Sequence, residues 1–258
     1  MSLTMVEGIR EEGDAIISSI MMERYLSKEK ESFINIRSNI PDLDKAVDGF
    51  REGEVIVISG PTKNGKTLLA QSLTKQFAKQ NYHSLWFSFE VPTKQFLSQF
   101  IDLPLFYIPM ILKPNSMEWL EKMAKKSFKE YQTRVIFIDH LHYLFDLART
   151  KNPSIEIGTI IRRLKTLAVQ NNFIVFLLCH TKKASGAGNN LTFESIRDSS
   201  FVSQESDCVL LIRRDMKNPE NHQAVLKVEF HRRTGVLNKK ILLQKLKGYL
   251  VQLSDQEV

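Results

Sequence analysis

Five short apolar runs punctuate the chain, and each has a polar residue at its end. They are Glu54–Ser59 (E-V-I-V-I-S), Ser84–Glu90 (S-L-W-F-S-F-E), Arg134–Asp139 (R-V-I-F-I-D), Asn172–His180 (N-F-I-V-F-L-L-C-H) and Ser206–Arg213 (S-D-C-V-L-L-I-R). Short runs rich in β-branched and aromatic residues predict buried strands. Between them, Leu68–Gln80 has helical residue types with no Gly or Pro, and Ile155–Gln170 reads as a further helix. Lys94–Phe128 reads as helix in two or three pieces, broken at Pro104, Pro109 and Pro114. Its Phe, Leu and Met content predicts packing layers rather than a site. Towards the C-terminus, Ala224–Phe230 alternates apolar and polar positions, and Lys239–Leu253 reads as a strand pair turning at Lys247-Gly248. Ahead of the first strand, residues 4–30 place Val6, Ile9, Ala15, Ile16, Ile20, Met21 and Leu26 on one stripe, with Gly13 weakening the centre. Such a helix folds back on its own domain or docks on a neighbouring subunit, and spacing does not choose. Pro41 and Asp42 open a short helix that Gly49 closes. The expected organisation is an arm over residues 1–32 and one α/β domain over 33–258.

The first strand runs into Gly60-Pro61-Thr62-Lys63-Asn64-Gly65-Lys66-Thr67, followed by Leu68. This fits G-x-x-x-x-G-K-S/T at every fixed position, and it sits between a strand and a helix as that motif requires. In that geometry successive backbone N–H groups and a helix N-terminus converge on an anion. Lys66 is then expected to reach the β- and γ-phosphates of ATP, and the Thr67 hydroxyl to ligate Mg²⁺. Asp139, closing an apolar strand, fits the carboxylate that completes the metal shell beside such a loop. Glu90 closes another strand, where a carboxylate orients or deprotonates a water, although a strand-end Glu is as readily a plain surface residue. His180 is placed to hydrogen-bond a γ-phosphate or to be a satisfied edge residue. His140 and His142 alternate as a metal pair would on a strand. No further ligand cluster lies near them in sequence, so structural or polar roles are expected.

Composition adds two constraints. With 43% apolar residues among 258, a substantial core is available. Net charge of +7 suits a polyanionic partner without naming one. The loop Lys182–Ser195, glycine-bearing and basic at its start, is where Lys182 and Lys183 could grip nucleic-acid phosphates, or it is an ordinary connection. Cys179 and Cys208 lie in apolar runs and read as reduced core thiols of a cytoplasmic protein. No apolar run approaches a membrane span, and the acidic N-terminus does not suit a signal peptide.

Taken in order, I-P-D-L-D-K-A-V-D-G-F-R-E-G-E, the phosphate loop, F-S-F-E-V-P, I-F-I-D-H-L-H-Y-L, I-I-R-R-L-K-T-L-A, L-L-C-H-T-K-K, S-I-R-D-S-S-F-V-S-Q-E-S-D and H-R-R-T-G resemble the RecA-like core of hexameric replicative DNA helicases. That is the DnaB family, with its phage primase–helicase and Twinkle branch. The resemblance covers about residues 33–253. It implies a mostly parallel twisted sheet flanked by helices, with antiparallel strands at the C-terminal end. It also implies an ATP-hydrolysing motor on single-stranded DNA, working as a homo-oligomeric, hexameric ring. In this reading Glu90 is the catalytic glutamate, Asp139 the Walker B aspartate and His180 the phosphate sensor. Arg214 lies against the adenine. A trans-acting arginine falls at H-R-R-T-G. Counting as in the phage branch selects Arg232, and counting as in DnaB selects Arg233. The family's lysine two residues earlier is replaced here by Phe230 or His231. The loops after Asp139 and His180 match DNA-holding channel loops, with Lys182, Lys183 and Asn189 as candidates, and the N-terminal helix matches a linker that docks on the next subunit. An N-terminal primase-type domain is expected to be missing, so a primase or loader would act in trans. A non-unwinding RecA/KaiC-like ATPase, acting as a recombination accessory or assembly switch, is the alternative. A degenerate nucleotide-binding scaffold is a third class, which intact Lys66, Thr67, Glu90 and Asp139 oppose.

Overall fold

A computed structural model describes residues 16–27, 33–145, 152–180, 202, 204–214 and 222–253. Contacts divide the chain into residues 1–33 and 34–258. In the first unit one helix, α1 (Ser19–Leu26), is described, with Ile20 and Leu26 exposed. The remainder of the predicted 4–30 helix lies outside the described residues.

The second unit is built on an eight-stranded sheet. In chain order its strands are β3 (Val55–Gly60), β4 (Ser84–Ser88), β5 (Val135–Asp139), β6 (Ile174–His180), β7 (Cys208–Arg214), β8 (Gln223–His231), β9 (Leu237–Leu246) and β10 (Tyr249–Gln252). Their spatial order is β10-β9-β8-β7-β3-β6-β5-β4. Pairing is parallel from β7 through β3, β6 and β5 to β4, and antiparallel from β7 to β10. A small separate pair, β1 (Asn35–Ile36) with β2 (Phe50–Arg51), brackets the short helix α2 (Pro41–Val47). Two residues per strand leave no periodicity to read, so this pair was not expected.

The central strands are apolar throughout because both faces are covered. Ile56 and Ile58 face a core shared with α2 and with α3 (Lys66–Lys79). Val55 and Val57 face the opposite core, against α5 (Met117–Tyr131) and α6 (Pro153–Asn171). On the first face Trp86, Phe137 and Phe176 stack across three strands at 4.7 Å per step. The Trp86 indole N–H donates to Thr74 Oγ1 of α3 at 2.9 Å, so its burial leaves no orphan donor. By contrast β8 alternates buried and half-exposed positions, as a strand covered on one face should.

The prolines have a larger effect than expected between Lys94 and Phe128. Only α4 (Thr93–Ser98) and α5 are helical there. Between them the chain is irregular, and Tyr107 exchanges backbone bonds of 2.8 Å with Ser84 and Trp86 of β4. Proline at 104 and 109 on either side disfavours helix and leaves that edge pairing as the outlet for the Tyr107 backbone groups. Helix starts follow the caps: Ser116 accepts from the Trp119 N–H, and Asn152 from the N–H groups of Ser154 and Ile155.

Candidate active site

Parallel register gathers the strand-end residues at one edge of the sheet. Gly60 of β3 lies opposite His180 of β6, and Ser88 of β4 lies opposite Asp139 of β5. Glu90 follows two residues after β4. Gly60 has φ 152°, and a Cβ there would run into the Ile212 carbonyl oxygen of β7, so a side chain is excluded by both space and backbone. Gly65, at φ 98°, turns the loop into α3. Asn64 holds the loop in place: its Nδ2 donates to Thr62 O, and its Oδ1 accepts the Arg214 backbone N–H, each at 3.0 Å. Thr62 and Lys63 are exposed, whereas Leu68 packs partly against the first core.

Lys66 is buried, and its Nζ donates to the carbonyls of Gly60 and Pro61, both at 2.9 Å. Burial pulls its pKa down, against the pull of Asp139 and Glu90. The Thr67 hydroxyl donates to Asp139 Oδ2 at 2.9 Å. Asp139 is 3% exposed. Burial, with the nearby Glu90 charge, raises its carboxyl to about 6 despite the Thr67 hydrogen bond and the Lys66 charge.

Glu90 Oε2 stands 3.5 Å from His140 Nδ1 and 4.0 Å from His180 Nε2. The two imidazoles meet edge to face at 4.4 Å. Burial lowers both pKa values, that of His140 to about 3, so both rings are neutral at physiological pH. His140 is thus part of the cluster. No further ligand cluster lies near it and His142 in sequence, and Glu90 and His180 reach it from the ends of two other strands.

The paired arginines are treated very differently. Arg233 donates from Nε to Glu54 Oε1 at 2.8 Å, and from Nη2 to the carbonyls of Val47 and Gly49 at 2.9 and 2.8 Å. It also reaches Asp48. Glu54 is buried, which pushes its carboxyl up. The adjacent His231, the Arg51 N–H and Arg233 outweigh this and hold it below the ordinary range. Arg232 is exposed, with its Nη2 donating to Gln204 O at 2.7 Å. Its backbone N–H donates to Asp207 O, while the Asp207 carboxylate takes the Val55 N–H and Lys165 Nζ at 2.8 Å and 2.7 Å. The arginine turn therefore sits at the start of β3, the end opposite the phosphate loop. Glu54 and Asp207, each an acid just ahead of an apolar strand, were not picked out from the sequence, and that position is the signal that could have found them. Lys182, Lys183 and Asn189 lie outside the described residues.

Residues 35–104 and 107–247 match the family model of the DnaB-like helicase C-terminal domain. The chain is 22% identical over 245 residues to a probable replicative DNA helicase of Trieres chinensis, covering 81% of this chain and 53% of that protein. It is 21% identical over 257 residues to the replicative DNA helicase DnaB of Rickettsia conorii, covering 81% and 52%. The chain thus spans about half the length of the curated relatives it matches. Among solved structures, an ATPase domain superposes with TM-score 0.75 at 16% identity, over 91% of this chain and 97% of that one. A DnaB-like replicative helicase, solved in a study of its interactions with primase, gives TM-score 0.76 at 17% identity, over 93% and 68%. These structural likenesses show the mixed parallel–antiparallel fold. The family match runs from β1 through the phosphate loop and the strand tips into β9, and the chain belongs to the DnaB-like helicase C-terminal domain family, a nucleotide-binding family.

Proposed function

We propose that this domain is the motor of a ring-forming DNA helicase, which hydrolyses ATP with Mg²⁺ between copies of the chain and translocates on single-stranded DNA. One observation carries most of this reading. Lys66, Thr67, Asp139, Glu90 and His180 share one sheet edge, while exposed Arg232 lies at the other end of β3, where a second copy could use it.

The triphosphate would rest on the backbone N–H groups of the loop and the N-terminus of α3. Lys66 Nζ would exchange the carbonyls of Gly60 and Pro61 for β- and γ-oxygens. The adjacent Thr67 hydroxyl and Asp139 carboxylate are hard oxygen donors and fit Mg²⁺. Bound there, Mg²⁺ neutralises charge on the β- and γ-phosphates. Glu90 would accept a hydrogen bond from the attacking water and take its proton. His180, neutral, would donate one N–H to the γ-phosphate. Arg214, whose backbone is tied to Asn64 of the loop, would lie against the base. Arg232 would stabilise charge on a neighbour's phosphate, with Arg233 as its anchor rather than as the reaching cation. Lys182, Lys183 and Asn189 would hold DNA phosphates, in keeping with the +7 charge. The arm, residues 1–32, would dock on the next copy, and a primase or loader would be a partner.

The decisive measurement is ATPase rate per chain against protein concentration, with and without single-stranded DNA. The rate should rise with concentration as copies meet, and rise again with DNA. A rate indifferent to both refutes the proposal. Strand separation on a forked duplex separates a helicase from a non-unwinding ATPase switch.

A further inference from the structure

We propose that Glu90, His140 and His180 form a Zn²⁺ site beside the proposed phosphate position. Their ligand atoms all lie within 4.8 Å of one another. Glu90 Oε2 is common to both closer approaches, at 3.5 Å from His140 Nδ1 and 4.0 Å from His180 Nε2. Neither approach is a hydrogen bond, and the buried His140 Nδ1 has no hydrogen-bond partner among the described residues. It points a nitrogen at a carboxylate across a gap that a cation would fill. Zinc–nitrogen and zinc–oxygen bonds of about 2.0–2.2 Å put tetrahedral ligand atoms roughly 3.2–3.6 Å apart, so a pair as wide as the 4.8 Å bound would draw together by about 1.2 Å, shared between two side chains.

The donor set selects the ion. Two imidazole nitrogens and one carboxylate oxygen suit Zn²⁺, whereas Mg²⁺ prefers oxygen alone and finds it at Thr67 and Asp139. Each ligand comes from the end of a different strand: β4, β5 and β6. Three protein ligands leave a fourth position open, and Glu90 is the most exposed of the three. Zinc there would occupy the carboxylate and the imidazole that the proposed hydrolysis uses, so it would act as a reversible inhibitor. That consequence rests on the function proposed above, whereas binding does not.

The full chain, free of any histidine tag, is titrated with Zn²⁺ against a chromogenic chelator. In parallel it is titrated with Co²⁺, read by its visible absorption. We expect one high-affinity equivalent per chain and a tetrahedral Co²⁺ spectrum. Outer-shell changes alone cost zinc sites about 10–100-fold in affinity, so Glu90→Gln, His140→Asn and His180→Asn should each cost at least about tenfold. The exposed His222→Asn should cost nothing. Circular dichroism checks each fold, and if one variant is not native the other two decide. Absence of a bound equivalent, or binding that survives the substitutions, or binding lost through His142→Asn but kept in His180→Asn, overturns the site. ATP turnover should fall at the same Zn²⁺ concentration and return with chelator. If zinc binds but the zinc-free protein has no turnover, the hydrolysis reading fails and the metal site stands.

Discussion

Arg233→Ala and Arg232→Ala, adjacent in sequence, should fail in opposite ways. The Arg233 side chain is 26% exposed, and three of its bonds, to Glu54, Val47 and Gly49, are 2.8–2.9 Å long. Removing one partner of a buried ion pair costs about 3–5 kcal/mol. Two facts pull the figure to the low end. A quarter of the Arg233 side chain is already in water, and the Arg51 N–H still serves Glu54 at 2.8 Å. We therefore expect about 3 kcal/mol, which is a fall in Tm of roughly 6–12 °C for a domain of this size. Urea unfolding should show a lower midpoint with an unchanged slope. Arg232→Ala removes one exposed contact, so stability should move by no more than about 0.5 kcal/mol. Its ATP turnover should fall by about 10³–10⁵-fold with nucleotide binding kept. The Arg233 effect also has a pH signature. Glu54 is held below its ordinary 4.5, so its ionised form contributes stability that is complete above that value and lost as pH falls through the depressed native value. The gap between wild type and Arg233→Ala should close over that acidic window. Equal midpoints for the two variants at pH 7 would refute the anchor role. So would an Arg233→Ala protein as stable as wild type that has lost only turnover.

Other consequences can be measured on the same domain. Asp139 carries a carboxyl raised from 3.8 to about 6, so its charge opposes folding above pH 6, and the penalty fades as pH falls towards 4. Asp139→Asn should therefore raise stability at pH 7–8 by on the order of 2–3 kcal/mol, abolish ATP turnover, and lose its advantage near pH 4 in thermal melts. Gly60→Ala should cost at least about 2 kcal/mol and weaken nucleotide binding, because a Cβ collides with the Ile212 carbonyl oxygen; unchanged binding would contradict this. Lys165→Met and Asp207→Asn remove two ends of one part-buried contact, and a double-mutant cycle in urea should give a coupling of about 0.5–3 kcal/mol, against zero for independent sites.

The strands were legible because burial on both faces writes itself as unbroken apolar runs, and β3 to β7 begin and end close to the expected residues. Lys66, Thr67 and Asp139 were legible because the phosphate loop is a local motif and the carboxylate closes an adjacent run. What escaped depends on residues far apart in the chain. His140 is beside Glu90 only because β4 and β5 pair in register. Counting from Thr234-Gly235 does not separate Arg232 from Arg233, because the difference lies in Glu54, which is 179 residues away from Arg233. The stretch around Tyr107 read as helix by composition, and its prolines and the open edge of β4 decided otherwise.

One short strand, β3, has the phosphate loop at one end and the anchor of the arginine turn at the other. Six residues at about 3.3 Å each make it a strut of roughly 20 Å. If Arg232 serves a neighbour, receiving and giving surfaces are different patches held at a fixed offset, and in the proposed ring the contact between copies is heterologous, head to tail. In that head-to-tail arrangement a pair leaves one patch unmatched at each end. The angle between the patches then decides whether the series closes on itself or winds on as an open spiral, and loosening Arg233 would blur that angle before it touched the chemistry.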